Sequence, residues 1–200
     1  ELTGARLHIP HISTAASIAA LRAAKNRGVD VTAEVTPHHL CFNDDVLMTY
    51  NTNAKVAPPL RTENDRLVLI EALTSGIIDC VATDHAPHTI EDKESDFEIT
   101  PCGMIGLESA FGIVNTAMIS SDLSIEDIID WFTVKPTKIM SLAENKLKKG
   151  NDASLTIINP TKEWILPHDN IYSKSMNTPF IGRKITGFIE GVVTDKHYFG

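Results

Sequence analysis

The side chains best suited to chemistry in this 200-residue chain fall in short runs: His8 and His11, then Pro37-His38-His39, then Asp84-His85-Ala86-Pro87-His88. Imidazole nitrogen and carboxylate oxygen are ligands that zinc accepts, and a catalytic zinc needs about three protein ligands and an open position for water. His11, His38, His39, Asp84, His85 and His88 are therefore candidates to hold a water-activating metal. There is no H-x-H or H-E-x-x-H pair to anchor an ion within one element, so spacing alone does not choose among them. At each position a hydrogen-bonded structural histidine competes with a ligand, and Asp84 could equally cap a helix.

The surrounding sequence supplies elements that can bring these runs together. Residues 77–82 form a short apolar run that reads as a buried strand and turns polar at Asp84. Residues 5–9 read as another strand, and Ser13 or Thr14 can cap a helix over about 15–27 that turns Ile18 and Leu21 inward and stops at Gly28. The strand 29–35 follows and ends on Thr36-Pro37-His38-His39. Pro58-Pro59 forbids regular structure in the next stretch, after which Thr62 opens a helix with Leu67, Ile70 and Leu73 on one face and Gly76 at its end. Strand, helix and strand with short joints make parallel βα units, and in a parallel barrel the three strand ends point to one rim, where such folds place their chemistry.

The charged run at 91–98 reads as solvated surface within a long loop to Gly106. Helices are expected over 107–119, over 125–132 with Ser124 as cap and Ile125, Ile128, Ile129 and Phe132 on one side, and over 136–142 with Pro136 in first position. Beyond Gly150 the texture changes to short strands, 154–158 and 187–197, so a small β appendage is expected rather than further βα units. This divides the chain into residues 1–148 and a β-rich segment, 149–200.

Composition narrows the function classes. A hydrophobic content of 42% suits a globular chain with one good core, and a net charge of −8 argues against nucleic acid, since no basic stripe exists to neutralise phosphates. Cys41, Cys80 and Cys102 are odd in number and widely spaced, which fits a reducing cytoplasm rather than a disulfide framework. No apolar run approaches the roughly 18 residues of a membrane helix. The opening Glu1-Leu2-Thr3-Gly4 has no signal-peptide character and no initiator Met, so a piece of a longer cytoplasmic protein is expected.

Several strings occur in a telling order: His11-Ile12-Ser13-Thr14, Val31-Thr32-Ala33-Glu34-Val35-Thr36-Pro37-His38-His39-Leu40, Pro58-Pro59-Leu60-Arg61, Ala82-Thr83-Asp84-His85-Ala86-Pro87-His88, Gly106-Leu107-Glu108 and Asn177-Thr178-Pro179-Phe180-Ile181-Gly182. Together they closely resemble the C-terminal half of the dihydroorotases, longer bacterial type, of the amidohydrolase superfamily. The resemblance implies an α/β fold, the last three strands of a (β/α)8 TIM barrel with the β appendage, and a zinc-dependent hydrolase that interconverts N-carbamoyl-L-aspartate and L-dihydroorotate in pyrimidine biosynthesis. It implies His11 and Asp84 as metal ligands, Asp84 also as the catalytic proton shuttle, and His88 as a substrate-carboxylate contact. It places Cys102 and Gly103 in a loop whose backbone meets the ring. Ala57 stands where many members have Asn and Cys102 where Phe is frequent, while His38 and His39 match no metal position. The remaining ligands to one or two zinc ions would lie upstream. Implied partners are the small-molecule substrate, further copies in a homo-oligomer and aspartate transcarbamoylase. Allantoinase or dihydropyrimidinase activity, or a non-catalytic subunit, are the alternatives, and the isolated piece is expected to be inactive.

Overall fold

The computed structural model describes residues 1–143, 147–168, 171–194 and 196–200. Three parallel strands, β1 (Leu7–Ile9), β2 (Val31–Val35) and β3 (Cys80–Val81), lie side by side in that order. The registers pair His8 with Thr32 and Glu34 with Cys80, which puts these four residues on one face. The other face carries Val31, Ala33, Val35 and Val81, all buried against the helices. The alternation of apolar and polar residues in β2 thus has a direct cause, with one side of the sheet in the core and the other lined by polar groups.

Helix α1 (Ala15–Asn26) joins β1 to β2. Thr14 accepts the Ser17 N–H as its cap, Ile18 and Leu21 are buried, and Gly28 follows the end at φ +78°. After β2 comes α2 (Pro37–Cys41), a single short turn that sequence periodicity does not reveal, capped by Thr36 with Pro37 in its first turn. Two 3₁₀ turns, Asp44–Leu47 and Thr52–Ala54, carry the chain to α3 (Glu63–Thr74). Apolar residues occupy every side of the middle of α3, so periodicity places the inward stripe only in part: Leu73 and the half-buried Ile70 lie on it and Leu67 does not. Leu69, Ala72 and Leu73 are buried, whereas Leu67 faces solvent.

β3 is shorter than the expected 77–82. The amides of Ile77 and Ile78 both donate to the Ala72 carbonyl at the end of α3, so the helix terminus claims the first part of the apolar run. Asp79 still ties the edge together: its carboxylate accepts the Ala33 amide of β2 at 2.8 Å and the Lys25 ammonium of α1 at 2.8 Å.

The long loop contains a one-turn helix, α4 (Ile90–Lys93), and is followed by α5 (Ala110–Met118), α6 (Ile125–Phe132) and α7 (Val134–Ile139). Pro136 is the third residue of α7, not the first, because Thr133 takes the cap position. In α6 Trp131 joins Ile128 as the most deeply buried pair. The last segment is an antiparallel sheet of β4 (Leu155–Ile165), β5 (Lys184–Thr194) and β6 (His197–Phe199), longer than expected. The expected strand 187–197 divides between β5 and β6, with residue 195 outside the described residues. β5 packs on α5, where Asn115 Nδ2 donates to the Thr186 carbonyl at 2.9 Å and Gly112 admits Ile185 and the Gly187 carbonyl. Among the described residues no helix is long and apolar enough to cross a membrane.

Candidate active site

His11 sits two residues beyond β1 and Asp84 three beyond β3, so β2 separates the strands that deliver them. The structure nevertheless brings them together: His11 Nε2 lies 3.5 Å from Asp84 Oδ1. Both residues take left-handed backbone conformations, φ +49° for His11 and +47° for Asp84. For residues with a Cβ this costs roughly 1–3 kcal/mol each and persists only where neighbours fix the backbone. Here the Ile12 amide donates to the Glu34 carbonyl, the Ala82 amide to the Val35 carbonyl and the Ala86 amide to the Met104 carbonyl. The backbone is thus tied down on each side of the strained positions, and the strain turns both side chains toward each other.

Behind His11 stands Glu34, half-buried in the middle of β2. Its Oε1 lies 2.8 Å from His11 Nδ1, close but too poorly aligned to count as a hydrogen bond. Its Oε2 meets His8 Nε2 at 3.1 Å, and His8 Nδ1 meets the Thr32 hydroxyl at 2.8 Å. A carboxylate behind a histidine directs the far ring nitrogen outward, the arrangement metal-binding histidines favour. The separation of His11 Nε2 and Asp84 Oδ1 matches the roughly 3.4 Å between two donors that share one tetrahedral ion at about 2.1 Å each. The donor pair therefore fits zinc.

Ligand atoms of His8, Glu34 and Cys80 also lie within 4.8 Å of one another. That group reads as support. Burial, then the charges of Glu34 and Asp79, pushes the Cys80 thiol up to about 12, and both ring nitrogens of His8 already have partners. Glu34 is a site residue that sequence reasoning did not single out. The available signal was one acidic residue inside the apolar run Val31–Val35.

His38 and His39 are buried in α2. His39 Nδ1 meets the Thr36 hydroxyl at 2.7 Å and its Nε2 donates to the Pro58 carbonyl at 3.0 Å, so neither nitrogen is open to an ion. Burial lowers the His39 pKa to about 4 and drives that of His38 well below its ordinary value. His85 uses one ring nitrogen structurally, since its Nδ1 accepts the Gly106 amide at 3.1 Å and fastens the start of the next segment.

The substrate-side candidates gather on a second wall. His88 Nε2 donates to the Cys102 carbonyl at 3.0 Å, which fixes the tautomer and leaves Nδ1 3.9 Å from Asp92. Gly103, at φ +134°, lies so close that an added Cβ would sit 2.6 Å from Ala86 Cβ and 3.0 Å from His88 Nε2. Its amide donates to the Lys55 carbonyl, which brings the 102–103 loop up to the segment that carries Ala57. Cys102 and Ala57 are exposed. The chain thus offers a pair of metal-type donors just past the strand ends and, on neighbouring loops, a wall built from His88, Cys102 and the closely packed Gly103.

No family model matches this chain. Over 196 residues it is 42% identical to the dihydroorotase of Caldanaerobacter subterraneus subsp. tengcongensis, a match that covers 98% of this chain and 45% of that protein. The chain therefore spans about half the length of the curated relatives it matches. Among solved structures it is similar to the D-hydantoinase (dihydropyrimidinase) from Thermus sp., with a TM-score of 0.88 and 26% identity over 98% of this chain and 45% of that one. An inactive dihydroorotase-like domain of the Chaetomium thermophilum CAD-like multifunctional protein shares the fold at a TM-score of 0.72 and 19% identity, over 98% of this chain and 52% of that one.

Proposed function

We propose that this chain is the C-terminal part of a dihydroorotase: the last three strands of a (β/α)8 barrel in residues 1–148 and a β-rich segment in 149–200. The observation that carries this reading is the convergence of His11 and Asp84 at 3.5 Å, within a sequence 42% identical to a dihydroorotase. The lower identity, 26%, to a hydantoinase of the same fold favours dihydroorotate over other cyclic amides as substrate.

His11 and Asp84 would hold zinc together with ligands from the rest of the barrel, and the ion would supply a water whose pKa falls to near 7. Asp84 takes the proton that water loses on attacking the ring amide carbon and gives it to the ring nitrogen as the carbon–nitrogen bond breaks. In the closing direction the carbamoyl nitrogen loses its proton to Asp84 as it attacks the side-chain carboxyl group, and water leaves. A carboxylate at the end of β3 suits this task because it can hold an ion and a proton in turn. His88 would meet the substrate carboxylate, while main-chain groups at Cys102, Gly103 and Ala57 would line the ring. This reading includes zinc dependence, a cytoplasmic home, a homo-oligomeric state and association with aspartate transcarbamoylase as further tests.

The decisive experiment is a dihydroorotate assay, in both directions, on the full-length protein. Chelator should abolish turnover and zinc should restore it. Asp84→Asn should lower turnover by about 10²–10⁴-fold while circular dichroism stays native. Hydrolysis of allantoin or dihydrouracil without action on dihydroorotate would overturn the substrate assignment.

A further inference from the structure

Asn177 lies 89 residues beyond His88, in an irregular stretch before β5, yet it is buried beneath the substrate-side wall. All the hydrogen-bonding capacity of its amide group that the loops can use is engaged. Its Oδ1 accepts the His88 amide at 3.1 Å, and its Nδ2 donates to the carbonyls of Ala86 at 3.0 Å and Gly103 at 3.1 Å. Its own carbonyl accepts the Ile105 amide at 3.0 Å. The orientation of the amide is fixed by its partners, because two carbonyls require the nitrogen and one N–H requires the oxygen.

From this geometry we infer that Asn177 is a positioning residue for substrate binding: it ties the 86–88 loop to the 103–105 loop and so sets where the His88 ring and the adjoining 102–103 loop stand beside the substrate. The inference rests on the dihydroorotase reading for the identity of the substrate, but the tie itself is read from the hydrogen bonds. Nothing smaller could replace it. Among the described residues the loops are also joined by the Ala86 amide to the Met104 carbonyl and by His88 Nε2 to the Cys102 carbonyl, but neither of these holds the His88 amide. Aspartate at 177 could still accept the His88 amide but would set a carboxylate against two carbonyls. Alanine would leave two carbonyls and one amide without partners in a buried place.

The test uses the full-length protein with zinc bound. Asn177→Ala and Asn177→Asp should each lower kcat/KM for dihydroorotate by on the order of 10²-fold, chiefly through KM, with zinc content per chain unchanged. His88→Ala should also raise KM, and the double variant Asn177→Ala/His88→Ala should be scarcely worse than His88→Ala alone, because Asn177 acts through His88 and its neighbour. Losses that multiply, or a fall in kcat with KM untouched, would overturn the inference. Amide hydrogen exchange over residues 86–105 gives a second readout that needs no substrate: both Asn177 variants should exchange faster there and native-like in β1 and β2. Unchanged exchange would overturn the tie whatever the activity, whereas faster exchange in an enzyme that ignores dihydroorotate would leave the tie standing and dismiss only the substrate. Should Asn177→Ala fail to fold, the near-isosteric Asn177→Asp carries both readouts.

Discussion

His39 shows how a residue with ligand chemistry can be committed to the fold instead. Its ring bridges the Thr36 hydroxyl and the Pro58 carbonyl, and burial holds it neutral with a pKa of about 4. In the unfolded chain its pKa is near 6.5, so as pH falls the unfolded state takes up the proton first. The stabilisation is therefore complete above pH 6.5 and is lost as pH falls toward 4. From pH 7 to 5 the full-length protein should lose about 2 kcal/mol through this group, and His38 is displaced in the same direction. Urea midpoints measured across that range check this, and His39→Gln should flatten the dependence. Thr36→Val removes the hydroxyl that accepts the His39 amide and meets its ring, and should cost about 1–3 kcal/mol in the same titration. At this scale the sequence made six candidates visible, but His11 and Asp84 could not be picked out by spacing, since their proximity is created by two strands with a third between them. Glu34 is not legible because an acid in a strand reads as an ordinary surface residue until the register sets it on the face of His8, within reach of both histidines.

Elements were more readable than their edges. The strand–helix–strand order was plain from Gly28, the Thr14 cap and the β-branched runs. The boundaries of β3 were not, because the Ala72 carbonyl at the end of α3 draws in the amides of Ile77 and Ile78, a contact invisible to periodicity. The inward stripe of α3 is legible at Ile70 and Leu73 but not at Leu67 for a related reason: consecutive apolar residues offer two helical faces, and only the packing beneath decides. One contact between elements makes a sharp prediction. Gly112 of α5 has no room for a side chain, since a Cβ would lie 2.5 Å from Ile185 and 2.6 Å from the Gly187 carbonyl of β5. Gly112→Ala should therefore force α5 and β5 apart and destabilise the protein by about 1–3 kcal/mol. Thermal unfolding would measure the loss. Trp164, whose indole donates to that same Gly187 carbonyl, should report the displacement by a shifted fluorescence maximum.

For the molecule as a whole, the two sheets are joined by shared packing. Phe180 and Ile185 from the last segment bury against Met104, Val56 and Phe42, so the β-rich segment helps to build the wall on which His88 and Gly103 stand. What remains uncovered is the polar face of β1–β3 and the outer edge of β1, beside a groove lined by Leu7, Ile9, Leu21 and Val29. An open edge of this kind invites pairing with other chains. Expressed alone, residues 1–200 should run as associated species on size exclusion and show no dihydroorotate turnover, and co-expression with the upstream part of the barrel should restore both a defined size and activity. A monodisperse, active 200-residue protein would overturn this expectation.

The position of Asn177 also bears on how such a protein is made. Synthesis runs from His11 to Asp84 to His88 and reaches 177 only after every αβ element has been made. A message cut short within the appendage, or a protease that trims it, would therefore release a polypeptide with its ion-holding residues in place and its substrate wall untied. Such a product would keep His11 and Asp84 but lose both the Asn177 tie and the packing that Phe180 and Ile185 supply.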